Sequence, residues 1–144
     1  MIEAYDSQNV FAKILRGEAP AYRVYEDDVA LAFMDIMPRT EGHTLVIPRR
    51  PARGLLDIDA ENLGALIKRV QHVAKAVVAA FEADGLTLHQ FNESAGGQVV
   101  FHIHFHILPR FDGVALRPPG TMGDKNRLQA NAEKIKAALT PFTG

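Results

Sequence analysis

The sequence predicts an α+β domain on a mostly antiparallel sheet. Three features predict it: five short strand-like runs, one long helical period that interrupts them, and Gly or Pro punctuation at the ends of the runs. A chain of 144 residues fits a single domain with its own core.

Near the start, Ser7 or Asn9 can cap a short helix whose Val10, Phe11, Ile14 and Leu15 share one stripe, and Gly17 ends it. Residues 21–25 and 29–34 read as a hairpin around Glu26-Asp27-Asp28, with Val29, Leu31 and Phe33 turned to a core. Pro38 and Gly42 make 35–42 a loop, and 43–47 is a β-branched strand stopped by Pro48. From 59 to 84, Leu63, Leu66, Ile67, Val70, Val73, Ala74, Val77, Val78 and Phe81 keep a helical period. Asp57 or Asp59 starts this helix and Gly85 ends it. Strands are expected at 86–92 and 99–108, with a glycine-containing loop at 93–98 between them. The chain is irregular after Pro109 until a last helix over 124–139, where Leu128, Ala132, Ile135 and Leu139 fall at helical spacing. The core of the domain is thus about 7–110, and 111–144 is a variable tail carrying a helix.

Composition narrows the function classes. Sixteen Lys+Arg against seventeen Asp+Glu give a net charge of −1, so the basic footprint of a nucleic-acid binder is missing. The chain has no Cys, hence no disulfide framework and no thiolate metal site, in keeping with a cytoplasmic protein. No apolar run reads as a signal peptide or a membrane span, so no membrane partner is expected.

The chemistry concentrates in Phe101-His102-Ile103-His104-Phe105-His106-Ile107. On a strand, alternation sends His102, His104 and His106 to one face and the apolar residues to the other, with neighbouring histidines about 7 Å apart. Such a face suits an anion. It also suits a transition metal, because His-x-His can chelate, or it is a satisfied structural cluster. Upstream, Asn92-Glu93-Ser94-Ala95-Gly96-Gly97-Gln98 offers amides and backbone N–H groups suited to phosphate oxygens, while Glu93 is the nearby carboxylate that a metal would use. A neutral imidazole can attack phosphorus if its opposite nitrogen keeps a hydrogen-bonded proton, and His104, with a partner on either side, is the best-placed nucleophile. Of the other histidines, His72 reads as solvent-facing on the long helix and His89 as a core or subunit-contact residue. Arg49, Arg50 and Arg53 read as a solvated loop.

The run from His102 to Leu108 resembles the His-φ-His-φ-His-φ-φ signature of the histidine-triad (HIT) superfamily, in its bacterial Hint-like branch. Tyr25-Glu26-Asp27-Asp28, the stretches 33–38 and 42–48, and Gly96-Gly97-Gln98 fall where further family blocks do. The resemblance implies a HIT-like fold with a five-stranded sheet, one long helix and short terminal helices. It implies a homodimer that acts on a purine nucleotide substrate at the α-phosphate, without a cofactor, through a covalent histidine-nucleotidyl intermediate. Nucleoside phosphoramidates head the implied substrates. Dinucleoside polyphosphates, or an adaptor role with incidental catalysis, are the alternatives. By motif match, His104 is the nucleophile, His106 and His43 contact phosphate oxygens, and His102 supports them. Asp35 binds ribose hydroxyls, Asn92, Gly97 and Gln98 touch the phosphate or leaving group, and Ile36, Phe33 and Phe11 wall the purine slot. The chain departs from the pattern at 9–12, where Asn9-Val10-Phe11-Ala12 replaces a zinc-binding Cys-x-x-Cys, so a structural zinc is not expected. It departs again at Val99, where relatives carry Ser or Thr.

Overall fold

The computed structural model of the protein describes residues 3–144. The chain forms one five-stranded antiparallel sheet in the order β1-β2-β3-β5-β4, flanked by helices on both faces. The α+β expectation therefore holds.

Helix α1 (Val10–Leu15) starts at Asn9, whose side-chain oxygen accepts from the Ala12 N–H. Beyond it Gly17, at φ +79, turns the chain toward β1 (Arg23–Glu26). Strands β1 and β2 (Ala30–Met34) pair across a turn in which the Asp27 carboxylate accepts from the N–H groups of Val29 and Ala30. Burial raises the Asp27 carboxyl, but donors from Tyr25, Arg69, Ala30 and Val29 outweigh it and hold the group at about 2.

Strand β2 corrects the reading of its core face. All five of its residues are buried: Ala30, Ala32 and Met34 lie in the cluster under the long helix, while Leu31 and Phe33 join Phe11 and Ile14 of α1 on the other side. A central strand covered on both faces needs no polar alternation. Val29, expected beside Leu31, precedes the strand and packs against the opposite cluster.

Strand β3 (Thr44–Pro48) pairs with β2 on one side and with β5 (Phe105–Arg110) on the other. Helix α2 (Ala60–Phe81) is capped by the Asp59 side chain, which accepts from the Asn62 N–H. Its C-terminus is closed by Glu82 in the left-handed region at φ 49, not by Gly85, which instead begins edge strand β4 (Gly85–His89). Helix α3 (Lys125–Ala138) buries Leu128, Ala132 and Ile135 in the same cluster as Leu66, Val70, Val73 and Val77 of α2. His72 was expected to face solvent. Its ring stands edge-on to Tyr25 and Phe142, with Nε2 buried and unpartnered.

The histidine segment also differs from the expected strand. Ladder pairing begins only at Phe105, opposite Val46, and 99–104 is irregular. Its hydrogen bonds go to the end of β3 and the loop after it: the His102 ring bonds the Pro48 carbonyl, and the Ile103 N–H donates to the Ala52 carbonyl. Two backbone bonds tie the tail to loop 35–42, from Arg117 N–H to the Arg39 carbonyl and from Gly123 N–H to the Ile36 carbonyl. Among the described residues, no helix is long and apolar enough to cross a membrane.

Candidate active site

Three segments meet at one end of the sheet: loop 35–43, the irregular run 99–104, and the start of β5. His106 stands on β5 opposite Leu45 of β3 and opposite His89 of β4. His43, two residues before Leu45, reaches the same face, and its Nε2 lies 3.0 Å from His106 Nδ1. The His104 and His106 ring centroids are 4.9 Å apart, closer than strand spacing alone would bring them.

Backbone partners fix the protons. A carbonyl can only accept, so His104, with Nδ1 at 2.7 Å from the His102 carbonyl, carries its hydrogen on Nδ1 and turns a lone pair outward on Nε2. A backbone N–H can only donate, so His43 Nδ1, at 3.1 Å from the Arg39 N–H, is an acceptor and the His43 proton sits on Nε2. His43 Nε2–H then donates to His106 Nδ1, which leaves the His106 proton on Nε2. The result is a bare nitrogen on His104 beside an N–H donor on His106.

Burial explains the charge state. The side chains of His43 and His106 are 2% and 16% exposed, and His104 as a residue is 7% exposed. Desolvation pushes His43 and His106 down to about 3, with help from neighbouring Arg39, His89 and His104. It lowers His104 as well, partly offset by the bond to the His102 carbonyl. Neutral imidazoles at pH 7 are the form a nucleophile and a hydrogen-bond donor both need. Asp35 borders the pair, with Oδ2 at 3.4 Å from His43 Nε2 and 3.9 Å from His106 Nδ1. Its Oδ1 accepts from the Met37 N–H, and burial raises its carboxyl.

Asp35, His43 and His106 also form the set best sized for a metal. Their separations of 3.4, 3.9 and 3.0 Å are near the roughly 3.3 Å edge of a tetrahedral site with bonds of about 2.0–2.1 Å. The hydrogen-bond directions oppose that use. A ligating His43 Nε2 would push the ring proton onto Nδ1, against the Arg39 N–H, whereas a ligating histidine normally donates from its other nitrogen. Glu93, the other carboxylate considered for a metal, is held by the Arg53 guanidinium at 2.8 and 3.0 Å.

Several sequence-predicted residues occupy other positions than expected. His43 turns its donor nitrogen to the His106 ring at 3.0 Å, with Asp35 Oδ2 at 3.4 Å. His102 is fully buried and serves through its carbonyl. Gln98 is buried, its amide donating to the Arg53 and Val100 carbonyls and accepting from the Glu93 N–H. The Asn92 amide pairs with Gln90 and accepts from the Leu55 N–H. Gly97, at φ +96, gives its N–H to the Ser94 carbonyl. In loop 93–98 the N–H groups of Glu93, Gly96, Gly97 and Gln98 and the Gln98 amide are thus taken up inside the protein, and the turn they close braces the site. Arg53, expected in solvent, is buried over the Phe101 ring, with its guanidinium carbon 4.2 Å from the centroid. Phe11 stands edge-on to His104 at 4.9 Å, Phe33 lies behind Phe11 at 5.4 Å, and Ile36 is exposed beside Asp35. Val99 points to solvent.

Sequence reasoning missed Tyr5, whose hydroxyl lies 2.6 Å from His102 Nδ1, and Phe91, whose ring lies tilted against His106 with centroids 5.4 Å apart. It also placed His89 in a core or subunit contact, although cross-strand register puts that ring 6.5 Å from His106. Period two on β4 and β5 was the available signal for His89. For Tyr5 there was none.

Comparison with known proteins agrees with this fold. The HIT domain family matches residues 16–113. The chain is 38% identical over 132 residues to an uncharacterized HIT-like protein of Borreliella burgdorferi, covering 88% of this chain and 90% of that protein. It is 39% identical over 111 residues to Adenylylsulfatase HINT3 of Arabidopsis thaliana, covering 76% of this chain and 56% of that protein. A crystal structure of a Hit-like protein involved in cell-cycle regulation from Bartonella henselae superposes with a TM-score of 0.89 at 55% identity, covering 94% of this chain and all of that one. With a family match over most of its length and the histidine cluster at the end of the matching sheet, this chain belongs to the HIT family.

Proposed function

We propose that the protein cleaves nucleoside phosphoramidates and related nucleotidyl compounds at the α-phosphate through a His104-nucleotidyl intermediate. One observation carries the reading: His104 Nε2 offers a lone pair with no partner among the described residues, while the Nδ1 proton is held by the His102 carbonyl at 2.7 Å. The Nε2 electron pair forms the N–P bond, and the bond from phosphorus to the leaving group breaks. The positive charge that develops on the ring is stabilised at Nδ1–H by the carbonyl. His106 Nε2–H is the donor for a phosphate oxygen or the departing atom, and Asp35 accepts from ribose hydroxyls. Water then attacks phosphorus, the N–P bond breaks, and His104 returns to its neutral form.

A purine nucleotide is the proposed partner, with its base between Phe11 and Ile36. The similarity to an adenylylsulfatase adds adenylylsulfate to the substrates worth testing. A second copy of the chain is the proposed protein partner. Edge strand β4 and α2 leave an apolar groove of about 580 Å³ that includes Ile67, Leu86 and Leu88, all exposed, and sedimentation tests that pairing. We place the activity in the cytoplasm, in keeping with the cysteine-free sequence.

The test is a panel of adenosine and guanosine phosphoramidates, adenylylsulfate and dinucleoside polyphosphates, run on the native protein and on His104→Ala. Loss of the nucleophile should slow turnover by about a hundredfold or more, and native protein denatured in alkali, where a histidine–phosphorus bond survives, should retain one nucleotidyl group per chain at His104. Turnover of His104→Ala within about tenfold of native would refute the covalent route.

A further inference from the structure

The ring of His102 is fully buried with both of its nitrogens occupied, and one of the partners comes from the N-terminal segment, 97 residues away in sequence. We infer that Tyr5 is a positioning residue for the reaction: by donating its hydroxyl proton to His102 Nδ1, it holds His102 in the tautomer and orientation that aim the His102 carbonyl at His104. This inference rests on the reading of His104 as nucleophile.

The geometry runs in one direction. The Pro48 carbonyl, 2.8 Å from His102 Nε2, can only accept, so the His102 proton is on Nε2. Nδ1 is therefore a lone pair, and the Tyr5 hydroxyl at 2.6 Å must be its donor. The phenol also stands edge-on to the imidazole, with centroids 5.6 Å apart. Burial raises the Tyr5 hydroxyl above its ordinary range, which keeps it protonated and able to donate. The ring of His102 is thus clamped between the end of β3 and the N-terminal segment. Its backbone carbonyl, on the same residue, receives the His104 Nδ1 proton at 2.7 Å. Without Tyr5, Nδ1 becomes a buried acceptor with no donor, and the ring regains freedom to rotate or to take its other tautomer. Either response moves the carbonyl that sets the His104 proton.

The segment that delivers Tyr5 is itself anchored. The Arg16 guanidinium donates to the Ser7 carbonyl, and the Asn9 side chain donates to the Asp6 carbonyl at 2.7 Å. These bonds hold residues 5–9 against α1, the helix whose Phe11 touches His104.

The experiment uses Tyr5→Phe, which keeps the edge packing and removes only the hydroxyl. Turnover of the best substrate should fall roughly five- to thirtyfold in kcat, with KM within about twofold. The acid limb of the kcat/KM profile should move to lower pH, because His104 loses part of the support of its carbonyl. A loss confined to thermal stability, with kcat and the pH profile as in the native protein, would overturn the proposal. Nitrogen-15 imidazole spectra of the native protein provide a second measurement that needs no substrate. They should show His102 protonated at Nε2 with a hydrogen-bonded Nδ1, and a His102 protonated at Nδ1 would overturn the inference outright. If the native protein turned over no member of the panel, the functional reading would fail while the tautomer result still stood or fell alone.

Discussion

Removing the His43 side chain isolates the relay that aims His106. In His43→Ala, the His106 Nδ1 acceptor loses the donor now 3.0 Å away, and the Arg39 N–H loses its acceptor at 3.1 Å. An unmet buried acceptor costs about 1–3 kcal/mol. If that cost falls on the transition state, turnover drops by roughly 5- to 150-fold, at about 1.4 kcal/mol per decade. His43→Gln separates donor loss from simple cavity formation, because a glutamine amide nitrogen can take the place of Nε2 and donate to His106. Single-turnover rates at pH 7 on correctly folded protein should therefore rank native, then His43→Gln within about tenfold, then His43→Ala. The reasoning fails if His43→Ala stays within about twofold of native, or if the glutamine variant is no better than the alanine one.

Two further outcomes follow from the same structure. Burial holds His43 and His106 at about 3 and His102 at about 4, whereas their unfolded forms take up protons near the ordinary histidine value, so below about pH 6.5 the unfolded chain binds more protons. Stability is then fully present above that value and is lost as pH falls toward these folded values, with a slope reaching about 1.4 kcal/mol per pH unit per histidine. Asp35, raised by burial, opposes the trend with a single group. Urea midpoints at pH 7 and pH 5 check this, and equal midpoints would contradict neutral burial. Separately, Gly42 sits at φ +89, and a Cβ there would lie 2.7 Å from the Phe81 ring. Gly42→Ala should therefore cost about 1–3 kcal/mol in urea unfolding, through strain and overpacking at the base of β3.

The elements were legible where one periodic signal sufficed. The α2 stripe and the Asp59 cap were explicit in side-chain type, and so was the spacing of Leu128, Ala132 and Ile135 on α3. Errors cluster where tertiary bonding replaced a local pattern. Alternation made 99–108 look like a single strand, but the His102 ring bonds Pro48 at the end of β3 and the Ile103 N–H bonds Ala52 beyond it instead of continuing the ladder, and nothing within those ten residues encodes that choice. Gly85 was a reasonable cap, yet α2 ends earlier because Glu82 accepts the left-handed conformation itself.

At the site, residue identity carried the chemistry and geometry reassigned the roles. Period two brought the triad to notice, but the histidine pattern alone left phosphate chemistry and metal chelation both open. Residues 39 and 43, four apart in a loop, bear on that fork through a backbone group with no side-chain signature. The Arg39 N–H points at His43 Nδ1, and that direction sets the proton on His43 Nε2, then the acceptor on His106 Nδ1, then the donor on His106 Nε2. Reverse that one dipole, with a carbonyl in place of the N–H, and His43 would carry its proton on Nδ1. The side-chain triangle of Asp35, His43 and His106 would then be free to ligate an ion. The same imidazole row is thus either a phosphate-handling relay or a metal site according to the hydrogen-bond polarity behind it, and in this fold that polarity favours the relay.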